Sequence, residues 1–417
     1  MGVPRIAKVF GAVNMGSFRV SAMIMGQSET GELIVLGSGH RQSQGVRRGY
    51  VTDMAAATYA VRNAVERAEE NAGARVQSVW VSCAGAGLTS RVAQVEVPIG
   101  GRQIEEEDIE YLLVAARENI EPDGRMVLHA QPAYYTLDGA HGVANPRGLH
   151  AERLGVDIHV MLADGAPVRN LKDAVERAHL SVEAVVATPI AAGFASLSPE
   201  ERELGTALIE LGGEVTNVGV FKNGMLTGLI SIPLGSTDIT DAIASAFGIR
   251  RFQAERLKCL AGSAIASPTD HREMVPVNAP GDGVSEDHRI NRAELVSVIT
   301  EQLALLADKI GKALKSLDYA GARGQIVVSG GGAQLAGIAE YMQGALGRPV
   351  RVGKPPELRG LPDAMRNPGF ATLAGLCIYA ADDPVDIRRV RNRGQETVRP
   401  GSVGLASRIW RAALDYF

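Results

Sequence analysis

Cysteine is scarce. Cys83, Cys259 and Cys377 are the three in 417 residues, and no two share a metal-ligand spacing. A cysteine-built metal cage is therefore excluded, and the three read as small buried hydrophobes in a reducing compartment. Excess positive charge is missing too: the net charge is −4, so nucleic acid is not expected as a partner. The most apolar stretches, Val185 to Leu197 and Phe370 to Ala381, fall short of the about 20 residues that cross a bilayer. Met1 to Val9 lacks the long apolar core of a signal peptide. These absences lead to the expectation of a cytoplasmic protein. At 46% hydrophobic and 22% charged, the composition is that of a soluble globular chain, too long for one core.

Glycine, by contrast, is placed with a pattern. Ala207 to Gly224 reads ALIELGGEVTNVGVFKNG: an apolar strand, a Gly212-Gly213 turn, a second strand, and a hairpin turn at Lys222-Asn223-Gly224. Glycines at such a turn let backbone N–H groups face phosphate oxygens, and Glu210 at the lip is placed for a phosphate-bound Mg²⁺. In isolation a plain hairpin would read the same way. Two further stretches change that. Val9 to Met25 (VFGAVNMGSFRVSAMIM) is again strand, Gly16-Ser17 turn, strand, and Ile326 to Ile338 (IVVSGGGAQLAGI) is a buried strand, three glycines and a helix N-terminus open to an anion. The order hairpin, hairpin, strand–glycines–helix resembles the actin and sugar-kinase ATPase superfamily, in which two related halves hold a nucleotide between phosphate hairpins.

Elsewhere the pattern predicts a helix over Met54 to Asn71, capped by Thr52 or Asp53 and ended at Gly73. Gly85-Ala86-Gly87 is followed by no βα phosphate unit. Arg91 to Val160 reads as a compact α+β insert, with strands Arg91 to Pro98, Arg125 to Pro132 and Arg153 to Met161 and a helix Glu105 to Asn119. A helix Asn170 to Ala178 and a strand Val182 to Ala187 return the chain to its main fold. After a turn at Gly235, Thr237 or Asp238 caps another helix. A helix over Phe252 to Ala261 puts Glu255 and Lys258 on one face, the spacing of a surface ion pair. From Asn291 a long helix keeps its period to Leu317, and Leu335 to Leu346 and Phe370 to Ala380 are further helices. Asp382 to Val403 has the composition of a linker. On a helical wheel Leu405, Ile409, Trp410, Leu414 and Phe417 share one half, and Arg408 and Arg411 the other.

These pieces resemble the FtsA family of bacterial cell-division proteins, actin-like anchors of the FtsZ ring. The resemblance covers almost the full length, through GVRRGYVTD, LGSTDIT, AERLK, SGGGAQLAGI, FATLAGLCIY and the terminal amphipathic stretch. It implies an α/β fold of actin-like ATPase type: two related halves around a nucleotide cleft, an inserted subdomain and a C-terminal amphipathic helix. The implied division is 1–84 with 165–197 and 356–381, an insert at 85–164, 198–250 with 318–355, 251–317, a linker at 382–403 and a membrane-targeting helix at 404–417.

What the resemblance implies for function is a protein that binds ATP with Mg²⁺, forms filaments with itself, and tethers FtsZ at the septum. Its setting would be the cytoplasmic face of the inner membrane, beside other divisome proteins. Gly16, Ser17 and Arg19 would form the first phosphate loop, and Gly212, Gly213, Thr216 and Gly235 the second. Glu255 and Lys258 would hold ribose and adenine, while Gly330, Gly331, Gly332 and Gln334 close over the nucleoside. Asn14 and Glu210 would stand by the metal. His288, Arg289 and Arg292 would meet the acidic FtsZ tail, and Leu405, Arg408, Ile409, Trp410, Arg411, Leu414 and Phe417 an anionic membrane.

The chain departs from the family pattern at five places. Asn14, Arg19, Glu210, Glu214 and Asn217 stand where acids, a lysine, an aspartate, a glycine and an acid are usual. Fewer carboxylates imply that ATP is bound but turned over slowly or not at all. Two rival readings share the fold: a pilus-assembly actin homologue, and a sugar or acid kinase. The kinase needs a general base beside the γ-phosphate, and neither hairpin offers an obvious aspartate.

Overall fold

The computed structural model describes residues 5–85, 87–278, 288–319 and 324–389, and two five-stranded sheets of one design frame it. In the first, Ile6–Met15 and Arg19–Ser28 form the N-terminal hairpin, closed by the pair Met15 and Val20. Leu33–Gln42 extends it antiparallel on one side, and Ser78–Cys83 and Ser181–Ala187 extend it parallel on the other. The second repeats this order. Thr206–Leu211 and Thr216–Lys222 form the hairpin, Met225–Ile232 extends it antiparallel, and Ile326–Ser329 and Val350–Val352 extend it parallel.

Val20 through Met25 are buried without alternation, as in a strand covered on both faces. Helix Met54–Ala72 covers one face. Asp53 caps it, accepting from the Ala56 N–H at 3.0 Å, and Gly73 ends it at φ 62°. The buried stripe Ala57, Ala60, Ala64 and Ala68 lets this helix lie directly on Leu33–Gln42. A Cβ at Gly37 or Gly39 would strike the Ala68 or Ala64 carbonyl. Helices Thr188–Ser196 and Ala371–Asp382 pack together beneath the sheet, with Gly375 seated against the Ala191 carbonyl. The helix read from Asn170 runs instead over Gly165–Glu176, because Asp164 ends the preceding strand at once.

The insert is a four-stranded antiparallel sheet in the order Thr89–Pro98, Arg153–Ala163, Met126–Leu137, Ala140–Val143, with helix Glu106–Glu118 on its core. The strand expected to stop at Pro132 continues to Leu137. A bulge opposite Val156 and Ile158 absorbs the proline, which cannot donate to the ladder.

Beside the second sheet, helix Arg251–Ala261, the short hairpin Met274–Pro276 and Arg289–Asn291, and helix Arg292–Ser316 form a smaller unit. Asn291 caps the long helix through the Ala293 N–H at 2.9 Å. That cap is worth about 1 kcal/mol. Leu295, Ile299, Leu303, Leu306 and Ile310 are buried at about 1.5–3 kcal/mol each, so packing holds this helix.

The linker reading of 382–403 needs correcting at its start. Asp382 closes a helix, and Ile387 is buried in the hydrophobic core of the insert. Arg388 donates to the Val127 carbonyl at 2.6 Å and pairs with Asp386. One buried isoleucine and one forked ion pair outweigh the polar composition from which a free tether was read. The remainder of that stretch and the amphipathic residues 404–417 lie outside the described residues.

Candidate functional site

Both hairpins end in the same turn. The Gly16 N–H donates to the Arg19 carbonyl at 3.2 Å, and the Gly212 N–H to the Val215 carbonyl at 3.0 Å. A Cβ on either glycine would meet that same carbonyl, at 2.9 and 2.5 Å. These glycines clear space for the chain's own backbone, not only for a ligand. Gly235 does likewise, making room for the Gly212 and Gly213 carbonyls. Those carbonyls accept from Ser236 N–H at 3.0 Å and Thr237 N–H at 2.7 Å, so the first turn of helix Ser236–Phe247 is tied to the second hairpin.

The tips Ser17-Phe18 and Gly213-Glu214 face each other, and a Cβ on Gly213 would lie 3.2 Å from that of Phe18. Around them opens a cleft of about 880 Å³, walled by Arg47 and His40 from one half and by Thr240, Arg251 and Glu255 from the other. The size suits a nucleotide, since small-ligand pockets run to about 300–1,000 Å³. Phe18 and Phe252 stand half-exposed at 50% and 60%, offering apolar faces to a planar ring.

Glu255 and Lys258 are not the surface pair that their spacing suggests. Lys258 is buried and donates to Glu255 at 2.7 Å, to the Thr240 hydroxyl at 2.8 Å and to the Ser236 carbonyl at 2.9 Å. Burial alone would raise the Glu255 pKa, but the charge of Lys258 and its hydrogen bond, with those of Thr240 and Cys259, hold it lowered. Glu255 is thus a charged acceptor on the cleft wall.

Four expected residues are tied into the fold by bonds of their own, Arg19 while still lining the cleft. Arg19 lies over the Phe370 ring at 3.8 Å and donates to the Gly369 carbonyl, and burial lowers its pKa. Thr216 is fully buried, its hydroxyl donating to the Leu234 carbonyl at 2.8 Å. Asn14 accepts from Ser82 at 2.6 Å. Glu210, only 7% exposed, accepts from Thr188 at 2.7 Å, Asn217 at 2.9 Å and Thr372 at 2.6 Å. Its two oxygens thereby join the second hairpin to both helices beneath the first sheet. Neither Asn14 nor Glu210 lines the cleft, and among the described residues no three His, Cys, Asp or Glu side chains converge. A metal in the cleft would therefore take its ligands from phosphate and water rather than from these two side chains.

The third glycine stretch also differs from its reading. Gly331–Gln334 is a 3₁₀ turn, and the α-helix begins only at Ile338, after Gly337 at φ 74°. Gly330, at φ 87°, and Gly332 back onto Leu211, while a Cβ on Gly331 would meet open space. Gln334 reaches a side cavity of about 450 Å³ that it shares with Arg19 and Asn367.

Of the expected partner residues, His288 and Arg289 are exposed, but Arg292 pairs with buried Asp270 and with Glu273 at 3.6 Å. Its charge is neutralised within the fold. Sequence reasoning gave no role to Phe18, Phe252, Arg251 or the GVRRGYVTD loop, although that loop forms a wall of the cleft. Exposed aromatics next to glycine turns were the available signal.

A family model described as "Cell division protein FtsA" matches residues 207–375, and one described as "SHS2 domain inserted in FTSA" matches 85–162. The "Cell division protein FtsA" of Agrobacterium fabrum is 35% identical over 408 residues, 93% of this chain and 91% of that relative. This chain belongs to the FtsA family. Solved structures place the fold: a "PilM-PilN type IV pilus biogenesis complex" chain has a TM-score of 0.62 at 16% identity, covering 91% of this chain and 100% of that one. MreB5 of Spiroplasma citri, bound to ADP, has a TM-score of 0.52 at 15% identity, covering 89% and 96%. Identities this low carry the fold alone, which is the actin-like ATPase fold with the family's inserted domain.

Proposed function

We propose that this FtsA-family chain binds ATP in the cleft between its paired hairpins, assembles with copies of itself, and tethers FtsZ to the inner face of the cytoplasmic membrane at the septum. The observation that carries the nucleotide reading is the pairing of two equivalent glycine turns, tip to tip, across a cleft of about 880 Å³. ADP bound to the related fold of MreB5 supports it. Mg²⁺ arrives on the phosphates, with Gly331, Gln334 and the Glu255–Lys258 pair toward the nucleoside. With Glu210 and Asn14 both engaged internally, turnover is slow.

The membrane reading rests on the pattern of Leu405, Ile409, Trp410, Leu414 and Phe417 against Arg408 and Arg411. One such segment gains roughly 7–15 kcal/mol by burial at about 1.5–3 kcal/mol per side chain, and ordering thirteen residues at about 1–2 kcal/mol each costs at least as much. Attachment of one copy is therefore weak, and filament avidity makes it firm. His288 and Arg289 remain as cations for the acidic FtsZ tail.

Co-sedimentation with anionic liposomes and FtsZ tests the assembly. Trp410→Glu is expected to abolish pelleting with liposomes while ATP binding stays intact. Undiminished pelleting would end the anchor reading, and loss of ATP binding as well would point to a folding defect.

A further inference from the structure

The two strands Val46–Arg47 and Tyr50–Val51 are joined by a two-residue loop in which Arg48 has φ 49° and Gly49 φ 80°. Both signs are those of a type I′ turn, where glycine or asparagine is favoured and arginine is not. Contacts outside the turn hold it: Gly49 lies against the Ala84 carbonyl, and the Arg48 carbonyl against Gly85. Its first N–H, on Arg48, points away from the hairpin ladder into the cleft. There it donates to the Glu214 carboxylate at 2.7 Å, joining one half of the molecule to the other.

Nothing in the turn of the second hairpin calls for a charge at this position. The equivalent tip residue of the first hairpin is Phe18, with the same backbone closure. Glu214 also sits in the field of Arg251, whose guanidinium it helps keep charged after Asp241. A carboxylate that accepts from a fixed backbone N–H beside an arginine occupies the place that a phosphate oxygen takes at a glycine turn.

We propose that Glu214 is an internal competitor of the nucleotide's terminal phosphate: without ligand it latches the cleft through the Arg48 N–H, and a triphosphate must displace it. The proposal rests on the nucleotide reading above. Repulsion at about 4 Å in a medium of effective dielectric near 20 sets a ceiling of about a thousandfold on the penalty, and a side chain free to swing aside leaves less.

Calorimetric titration of the full chain with ATP, ADP and adenosine, for wild type, Glu214→Ala and Glu214→Gln, tests it. Both variants are expected to bind ATP about tenfold tighter or more, ADP by a smaller factor, and adenosine unchanged. Hydrogen exchange at the Arg48 amide, measured without nucleotide, should quicken in Glu214→Ala. If wild type binds ATP and neither variant binds it tighter, the latch is wrong and the nucleotide reading stands. An equal gain for adenosine also overturns it, because the competition is for phosphate. If no chain binds any of the three, the nucleotide reading falls and the latch with it.

Discussion

The two glycine hairpins share a backbone and almost no chemistry. Met15 pairs with Val20 as Leu211 pairs with Thr216, and Asn14 lies beside Ser82 in the parallel neighbour as Glu210 lies beside Ser329. Yet Asn14 makes one local bond to Ser82, whereas Glu210 gathers three donors from both halves. At the tips, Phe18 faces the cleft without charge and Glu214 spans it. The repeat is therefore a property of turn geometry. Side chains at matched positions were free to become a tie between the halves on one side and a local prop on the other.

The largest test of this asymmetry compares Glu210→Ala with Asn14→Ala. Removing Glu210 strands the buried Thr188 and Thr372 hydroxyls, while Asn217 keeps its bond to Thr188 at 3.1 Å, and at about 1–3 kcal/mol per stranded donor it should cost on the order of 2–6 kcal/mol. Removing Asn14 frees one hydroxyl and should cost about 1 kcal/mol. Urea midpoints of the two variants decide it, and equal losses would mean that the hairpins are equivalent in energy as well as in shape.

Next in size is an effect at the seam where the insert packs on Leu226 of the second sheet. His159 and Ser90 share a hydrogen bond of 2.9 Å, and Ser90 donates to the Leu226 carbonyl at 2.5 Å. Burial lowers the His159 pKa from 6.5 to about 4, and neighbouring His129 is also held well below its ordinary value by burial, His159 and Arg388. The folded state holds His159 neutral, so its contribution is full above pH 6.5 and lost as pH falls toward about 4. A shift of that size is on the order of 3 kcal/mol. Thermal unfolding between pH 7 and 4 should show this slope, and His159→Gln should flatten it. An unchanged slope would move the acid sensitivity elsewhere, to the carboxylates.

The smallest contrast lies in the third glycine stretch. Gly330→Ala forces a side chain into φ 87° against the Leu211 carbonyl, at a cost of about 1–3 kcal/mol. Gly331→Ala enters open space and should leave the unfolding free energy within about 0.5 kcal/mol of wild type. If Gly331→Ala weakens ATP binding while stability holds, that glycine faces the nucleoside.

Much of this was legible in the chain itself. Local signals act over a few residues, so the hairpins, the Asp53 and Asn291 caps, the helix stop at Gly73 and the α+β insert could be read from alternation, capping and glycine placement. The family could be read as well, because its motifs run the length of the chain. Partnership between distant residues could not. Glu255 and Lys258 looked like a surface pair until Thr240 and the Ser236 carbonyl closed over them. Arg292 looked like a free cation until Asp270, 22 positions away, paired with it. Ile387 looked like linker, and Glu210 like a metal ligand, until tertiary neighbours supplied a core for one and three hydrogen-bond donors for the other. Spacing in sequence determines which side chains share an element. Which groups lose their water, and which donors and charges then meet them, depends on the packing of elements far apart in the chain. At this cleft that packing decided whether each polar residue lines the open space or holds the fold.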